Sequence, residues 1–426
     1  MQEMLNAMGF RSRWIAYSAF FAVSGSLLKH HTPNFGWCGL YPTLDRFLAV
    51  SHGEIFRGTF ASVMRPSLHV EKILGHSCGM GCVNTYYYLV YGLALFFAAL
   101  AISWPLMRIL DQPDHASHPG IRKAVAYLLV ALPIYVHVFS YGSIVDAIYP
   151  AASIGIVALL LLRTKLKGAL PQFICLIDGR FWPQCFVVAF LIFLLDMSRP
   201  YAIYVILLLF GAAVFQKSRP LILGILIGII LAFPYHINQF RGIGSPVLTN
   251  YTGCNLIEVF RAPGVRFPGA MSEIPQAEIA RRCDENSALI KAYVRSQPLS
   301  ALVDLIRPLR LVRSVFPAPF TPWQYKTAPD FFSLEGGLQW ALWVAFIVFL
   351  YVPIVFFLGK VLPKLLATNV VLVFVSLAVF APVTFSIVAN AAEEAGRVGL
   401  SFVLPISFLA SVAVFREYRL PCHGRL

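Results

Sequence analysis

About ten apolar stretches run through this chain, broken once by a polar segment of about a hundred residues from Ile237 to Gly337. Each stretch is near the length that crosses a bilayer. In hydrocarbon such a stretch must satisfy its own backbone hydrogen bonds, and only a helix does so within one segment. The pattern predicts an all-α membrane protein of about ten transmembrane helices, at 14–28, 86–110, 124–140, 147–162, 181–195, 201–215, 221–235, 338–358, 366–389 and 398–415. Several of these are nearer fifteen residues than the roughly twenty that span the hydrocarbon. Tyrosine, tryptophan and glycine at their ends complete them. Composition agrees, with 58% hydrophobic and 13% charged residues and a mean hydropathy of +0.72. A soluble domain carries about 25% charged residues.

The formal charge of +14 does not indicate nucleic acid, because it is spread over loops at both ends of the helices. Arg11/Arg13, Arg108/Arg122/Lys123, Arg163/Lys165/Lys167, Lys217/Arg219, Lys360/Lys364 and Arg416/Arg419 fall in alternate loops. That alternation is the positive-inside signal, and it places both termini in the cytoplasm. The loops at 29–85, 141–146, 196–200, 236–337 and 390–397 then lie outside. Ala22-Val-Ser24 resembles a cleavage site, but the first stretch is read as an uncleaved helix. The chain divides into an N-terminal transmembrane module (1–236) with its external loop 29–85, an external loop domain (237–337) and a C-terminal transmembrane module (338–426).

Five of the eight cysteines, Cys38, Cys78, Cys82, Cys254 and Cys283, fall outside, where disulfides persist. Cys254 and Cys283 share one loop and make the favoured pair. His76, Cys78 and Cys82 lack the fourth ligand and spacing of a zinc site, so no metal is assigned there. In the long loop, apolar residues recur at Ile279, Cys283, Ile290 and Val294. After Pro298 they recur at Leu302, Leu305, Ile306 and Leu309, with Arg307, Arg310 and Arg313 close by. The second stretch reads as a basic amphipathic helix, which either covers the bundle or lies in the membrane interface and walls a site open to head groups.

Ionisable residues near the hydrocarbon are costly, so each is a functional candidate. Asp45 follows the first span with aromatic and aliphatic neighbours, a half-buried setting suited to a general base. His52 and Glu54 are weaker candidates in the same segment. Asp146 sits in the very short loop before the fourth span, placed to bind a sugar hydroxyl, to share a metal with Asp45, or to cap the helix. Asp196 and Arg199 flank the turn between the fifth and sixth spans. They pair with each other, or Arg199 grips a phosphate with two hydrogen bonds. Glu394 and Arg397 precede the last span and offer the same choice.

In order along the chain, these features resemble the polytopic glycosyltransferases of the GT-C fold, which use polyprenyl-phosphate sugars as donors. The resemblance rests on Asp45 after the first helix with Gly58 closing that segment, Asp146 in the second external loop, and the Ser198-Arg199-Pro200 turn. It continues with Thr-Asn-Tyr-Thr-Gly-Cys-Asn-Leu (Thr249–Leu256) opening the large loop, and with Glu394 and Arg397 before a final helix that carries Pro405. It covers most of the chain in architecture and only short pieces in sequence. Many such enzymes have Asp-Glu where this chain has Asp45-Arg46, and some carry a soluble C-terminal domain that has no counterpart here.

The resemblance implies an inverting transfer of a sugar from a polyprenyl-phosphate donor to a glycan or glycolipid acceptor, among membrane lipids and without nucleic acid. Asp45 and Asp146 are the catalytic expectations; Arg199, Arg397, Glu394, His52 and Glu54 are the substrate-binding ones. The resemblance assigns no definite cofactor, and a divalent cation at the carboxylates is compatible with it. The expected location is a bacterial inner membrane with the site facing the periplasm. A polysaccharide polymerase or ligase using lipid-linked donors is the nearest alternative, and a transporter or lipid flippase is an alternative from another class. On this reading Asp45→Asn abolishes transfer with folding and lipid binding unchanged, and Arg199→Ala and Arg397→Ala each weaken donor binding. Donor titration beside a turnover assay checks both.

Overall fold

The computed structural model describes residues 9–30, 79–111, 122–123, 125–130, 132–133, 144–164, 166–198, 202–243, 256–257, 259–266, 276–307, 341, 359, 363, 370–389 and 395–419. Among these residues the chain is all-helical, without a strand. The helices are α1 (Phe10–His30), α2 (Gly79–Leu110), α3 (Ile144–Leu161), α4 (Gln172–Cys175), α5 (Phe181–Ser198), α6 (Ala202–Phe215), α7 (Arg219–Ile243), α8 (Gln276–Ser296), α9 (Pro298–Ile306), α10 (Val370–Ala389) and α11 (Ala395–Arg419). Two described stretches, Leu89–Leu110 and Phe181–Ser198, are long and apolar enough to cross a membrane. The apolar cores of α3, α6, α7, α10 and α11 are shorter.

α3 is the centre of the assembly. It packs against α2, α5 and α11, and more lightly against α6 and α10. Its residues from Ala147 to Leu162 are buried nearly all round, as an apolar helix without a polar face must be. α1 lies on α2, where Ser18 and Ser103 meet at 3.4 Å and allow close approach. Side-chain donors stitch α1 to its neighbours' carbonyls: Trp14 Nε1–H donates to Leu100 O (3.0 Å) and the Tyr17 hydroxyl to Leu129 O (2.6 Å).

The most extensive helix contact among the described residues is between α5 and α7, and its cause is written in glycines. A Cβ at Gly224 would sit 2.7 Å from Cys185 O and Val188 Cβ; one at Gly228 would sit 2.6 Å from Ile192 Cβ and 2.7 Å from Ala189 O. The two backbones therefore touch where glycine permits it, the small-xxx-small packing that apolar helices use. The register is constant, with Gly224 against Cys185 and Gly228 against Ala189, so α5 and α7 run parallel. α6 returns between them. Its exit is a Schellman turn in which Ser218 N–H donates to Ala213 O and Lys217 N–H to Val214 O, with Lys217 in the left-handed region at φ 52°. Gln216 Nε2–H ties that turn to Leu160 O at the end of α3 (2.7 Å).

Residues 256–266, α8 and α9 form a small module of their own. Asn286 clips the loop by accepting from Arg266 N–H (3.1 Å) and donating to Arg266 O (2.8 Å). Asp304 accepts from Arg261 N–H (2.9 Å) and from the Tyr293 hydroxyl (3.0 Å). On the surface of α8, hydrogen bonds from Arg281 and then Arg282 hold the Glu278 carboxylate down to about 2. A depressed carboxylate contributes fully above its unfolded range and loses that contribution progressively as pH falls towards its folded value.

Gly228→Val should force α5 and α7 apart and destabilise the protein by about 1–3 kcal/mol. Intrinsic tryptophan fluorescence on heating in detergent measures this, with Gly9→Ala, where an added Cβ meets nothing within 4 Å, as the neutral control.

Candidate functional site

The close packing of α5 on α7 brings two polar side chains together. On α7, Gly224, Gly228, Ala232 and His236 recur every fourth residue and share one face. On α5, Cys185, Ala189, Ile192 and Asp196 make the complementary face. At the end of both stripes His236 Nε2 and Asp196 Oδ2 meet at 2.6 Å. The Asp196 side chain is 7% exposed and that of His236 is 23% exposed. Pro234 lies two residues before His236 inside α7, where it removes the hydrogen bond to the Ile230 carbonyl.

The chemistry follows from which atom holds the proton. With the carboxylate ionised and the imidazole neutral, the Nε2 proton lies in the bond to Asp196 and Nδ1 carries the lone pair. His236 Nδ1 is buried and has no hydrogen-bond partner among the described residues. A carboxylate on one imidazole nitrogen fixes the ring, selects the tautomer and stabilises the imidazolium once the other nitrogen has taken a proton. An unpaired buried acceptor costs about 1–3 kcal/mol, so it calls for a reason beyond packing.

The fold separates the residues expected from sequence. Asp45, His52, Glu54, Arg199 and Glu394 lie outside the described residues. Asp146 belongs to the first turn of α3 rather than to the preceding loop, because the helix begins at Ile144. Arg397 is likewise in the first turn of α11. Their side chains are outside the described set, but α3 and α11 pack against each other. Asp196 meets His236, forty residues on, and Arg199, the partner the sequence suggested, lies outside the described residues. Among the described residues no three His, Cys, Asp or Glu side chains converge to hold a metal.

A second feature is an apolar cavity of about 760 Å³ with walls from α2, α3 and α5 and a floor from Phe173, Ile174 and Ile177. Its lining runs from Ile148 to Leu159 along α3, about 17 Å at the helical rise. Phe97 and Phe190 on its walls are more than half exposed. Leu194 lines the cavity and Asp196 follows two residues later, roughly 200° round the helix. The cavity and the Asp196–His236 pair thus occupy opposite faces of α5.

The cysteines give an independent indication of sidedness. Cys283 on α8 is disulfide-bonded, with its partner outside the described side chains. Cys175 on α4 and Cys185 near the start of α5 are free thiols. Disulfides persist outside the reducing cytoplasm. The bonded cysteine lies in the long loop assigned to the outside, and the free pair lies at the ends of the helices assigned to the cytoplasm.

No family profile, curated protein or solved structure matches this chain.

Asp196 and His236 should behave as a coupled unit. Either single replacement, Asp196→Leu or His236→Phe, strands a buried polar partner; the double replacement strands none. The double variant should therefore be more stable than the two single losses add up to, with a coupling of about 0.5–3 kcal/mol. A double-mutant cycle of thermal or denaturant unfolding measures it.

Proposed function

We propose that this chain is a multi-pass membrane glycosyltransferase of GT-C-like architecture, with about ten transmembrane helices and a site on the external face. It moves a sugar from a polyprenyl-phosphate donor to a glycan or glycolipid acceptor, in a bacterial inner membrane with the site facing the periplasm. The observation that carries this reading is the Asp196–His236 pair, which provides a base with an open lone pair at the ends of α5 and α7. The charge alternation assigns those ends to the outside, together with the module that holds the disulfide-bonded Cys283.

The reaction needs three things that such a site can supply. The acceptor hydroxyl gives its proton to His236 Nδ1 as its oxygen attacks the anomeric carbon, while Asp196 stabilises the imidazolium. The bond from the anomeric carbon to the phosphate oxygen breaks, and the polyprenyl phosphate leaves with that electron pair, inverting the anomeric centre. Its negative charge is met by a cation, for which Arg199 and Arg397 remain the choices. The cavity beside α5 suits a hydrocarbon chain, because its lining is apolar and its walls open sideways. Since α5 stands between them, a chain in the cavity would present its head group across the end of α5 at Ser198. Asp45 remains a rival base, and Asp146 a sugar ligand from the first turn of α3.

One observation favours a second reading. Nδ1 is closed to solvent, and buried Asp–His pairs also serve as proton relays in transporters. The two readings differ in what His236 moves.

The deciding assay incubates the purified chain in nanodiscs with a panel of radiolabelled polyprenyl-phosphate sugars and follows donor binding and sugar release. A transferase binds one donor selectively, and His236→Gln lowers turnover by about 10²–10⁴-fold with binding retained. Asp196→Asn should lower it as well, and Asp45→Asn tests the rival base in the same assay. If no donor binds while reconstituted vesicles show proton flux that His236→Gln abolishes, the transporter reading stands instead.

A further inference from the structure

α9 is built inside out. In an amphipathic helix on a water-soluble module the apolar stripe faces inward and the charges face water. Here the buried residues are Ala301 and Asp304, at 4% and 6% exposure. Leu299, Leu302, Val303 and Ile306 are exposed, at 77%, 51%, 61% and 52%. At 100° per residue these four fall within one narrow face, opposite the buried pair. The sequence pattern alone, with Leu302 and Ile306 in an apolar stripe, does not say which side the stripe takes; the burial shows that it points away from the module.

The orientation is locked from beneath. The Asp304 carboxylate accepts from Arg261 N–H and from the Tyr293 hydroxyl, and its other oxygen lies 3.6 Å from Arg307 Nε. Arg307 also donates to Val259 O at 3.0 Å. Rolling the helix to bury its leucines would strip a carboxylate of these partners, which is far less favourable than leaving leucines outside. The exposed face is therefore a fixed property of the fold, and it matches an apolar medium rather than water.

Two features say what that medium is. The module follows α7 in the chain, tethered by residues 244–255 between Ile243 and Leu256 to the end of an apolar helix. Beyond Arg307, which is turned to the module, the sequence after α9 carries Arg310 and Arg313, charges complementary to anionic head groups. We infer that α9 lies in the plane of the outer leaflet, with Leu299, Leu302, Val303 and Ile306 seated at the boundary of the acyl chains. The bilayer surface is thus the partner that completes this module, and it sets the module's height above the ends of α5 and α7. The inference rests on the membrane reading above and not on the transfer chemistry.

The test uses the full chain in nanodiscs of phosphatidylcholine and phosphatidylglycerol. A spin-labelled amino acid is placed by stop-codon suppression, which leaves the native cysteines untouched, at each of the four positions, at Ser300 and at Leu207. Leu207 is an exposed residue of α6 and serves as the control for a helix in lipid. Collision rates are read with oxygen, which partitions into lipid, and with a water-soluble nickel chelate. The four α9 positions should match Leu207, high with oxygen and low with nickel, while Ser300 shows the reverse ratio. Leu302→Glu with Val303→Glu should turn the Leu299 label over to nickel and leave Leu207 unchanged. Nickel access at the four positions, beside a lipid-facing Leu207, would overturn the inference and leave the membrane reading standing. Low rates with both reagents would overturn it by showing the face covered by protein. A Leu207 label in water would overturn the membrane reading, and this inference with it.

Discussion

The backbone contact between α5 and α7 governs what this chain can do. Two apolar helices in hydrocarbon gain nothing from hiding apolar surface, so their association depends on close packing and on polar groups that find each other. Gly224 and Gly228 supply the first, since any side chain there would collide with Cys185, Val188, Ala189 or Ile192. Asp196 and His236 supply the second. The two are one design, because the four-residue spacing that puts the glycines against α5 carries on through Ala232 to His236. A shift of one residue in register would turn His236 some 100° away and leave both groups alone in an apolar setting.

That coupling explains how much was legible. The helices follow from composition, and the apolar stretch at 181–195 corresponds to α5 (Phe181–Ser198), that at 201–215 to α6 (Ala202–Phe215). Their ends are less legible. Hydropathy fades where polar residues still fit a helix, so α3 begins at Ile144 and takes Asp146 with it, and α7 runs on past His236 to Ile243. The contact of Asp196 with His236 was missed for a related reason. Arg199 is three residues away and offers an obvious local partner, whereas His236 falls just beyond the apolar stretch and looks like part of a loop. The missing signal was the stripe of small residues at every fourth position, which marks the close helix face and shows where it leads. The candidates at 45, 52, 54, 199 and 394 lie outside the described residues, so the structure leaves them as sequence proposals.

The proposed sidedness of the protein draws on three kinds of physical argument. Charge alternation concerns insertion, and reflects the difficulty of carrying arginine and lysine across the bilayer. The cysteines concern redox chemistry, with the bonded Cys283 and the free Cys175 and Cys185 at opposite ends. The inverted polarity of α9 concerns solvent, since a helix that buries Asp304 and exposes four large aliphatics is shaped for the edge of a lipid phase. The third rests on the membrane reading, and in the proposed topology the Asp196–His236 ends of α5 and α7 lie on the side of the α8–α9 module.

This arrangement also resolves an apparent contradiction in the site. A base has to reach its substrate, yet His236 Nδ1 is closed to solvent. On the proposed function, in which substrates arrive through the membrane, closure would keep water off the imidazole until a substrate binds. On that reading the acceptor or donor would displace whatever covers it, and α7 lacks a backbone hydrogen bond near that point, at Pro234. Release of the segment beyond Pro234 would move His236 without disturbing the glycine contact at Gly224 and Gly228, because that contact lies on the other side of the proline. The rigid and the yielding parts of α7 are thus divided by one residue, with the packing on one side and the chemistry on the other.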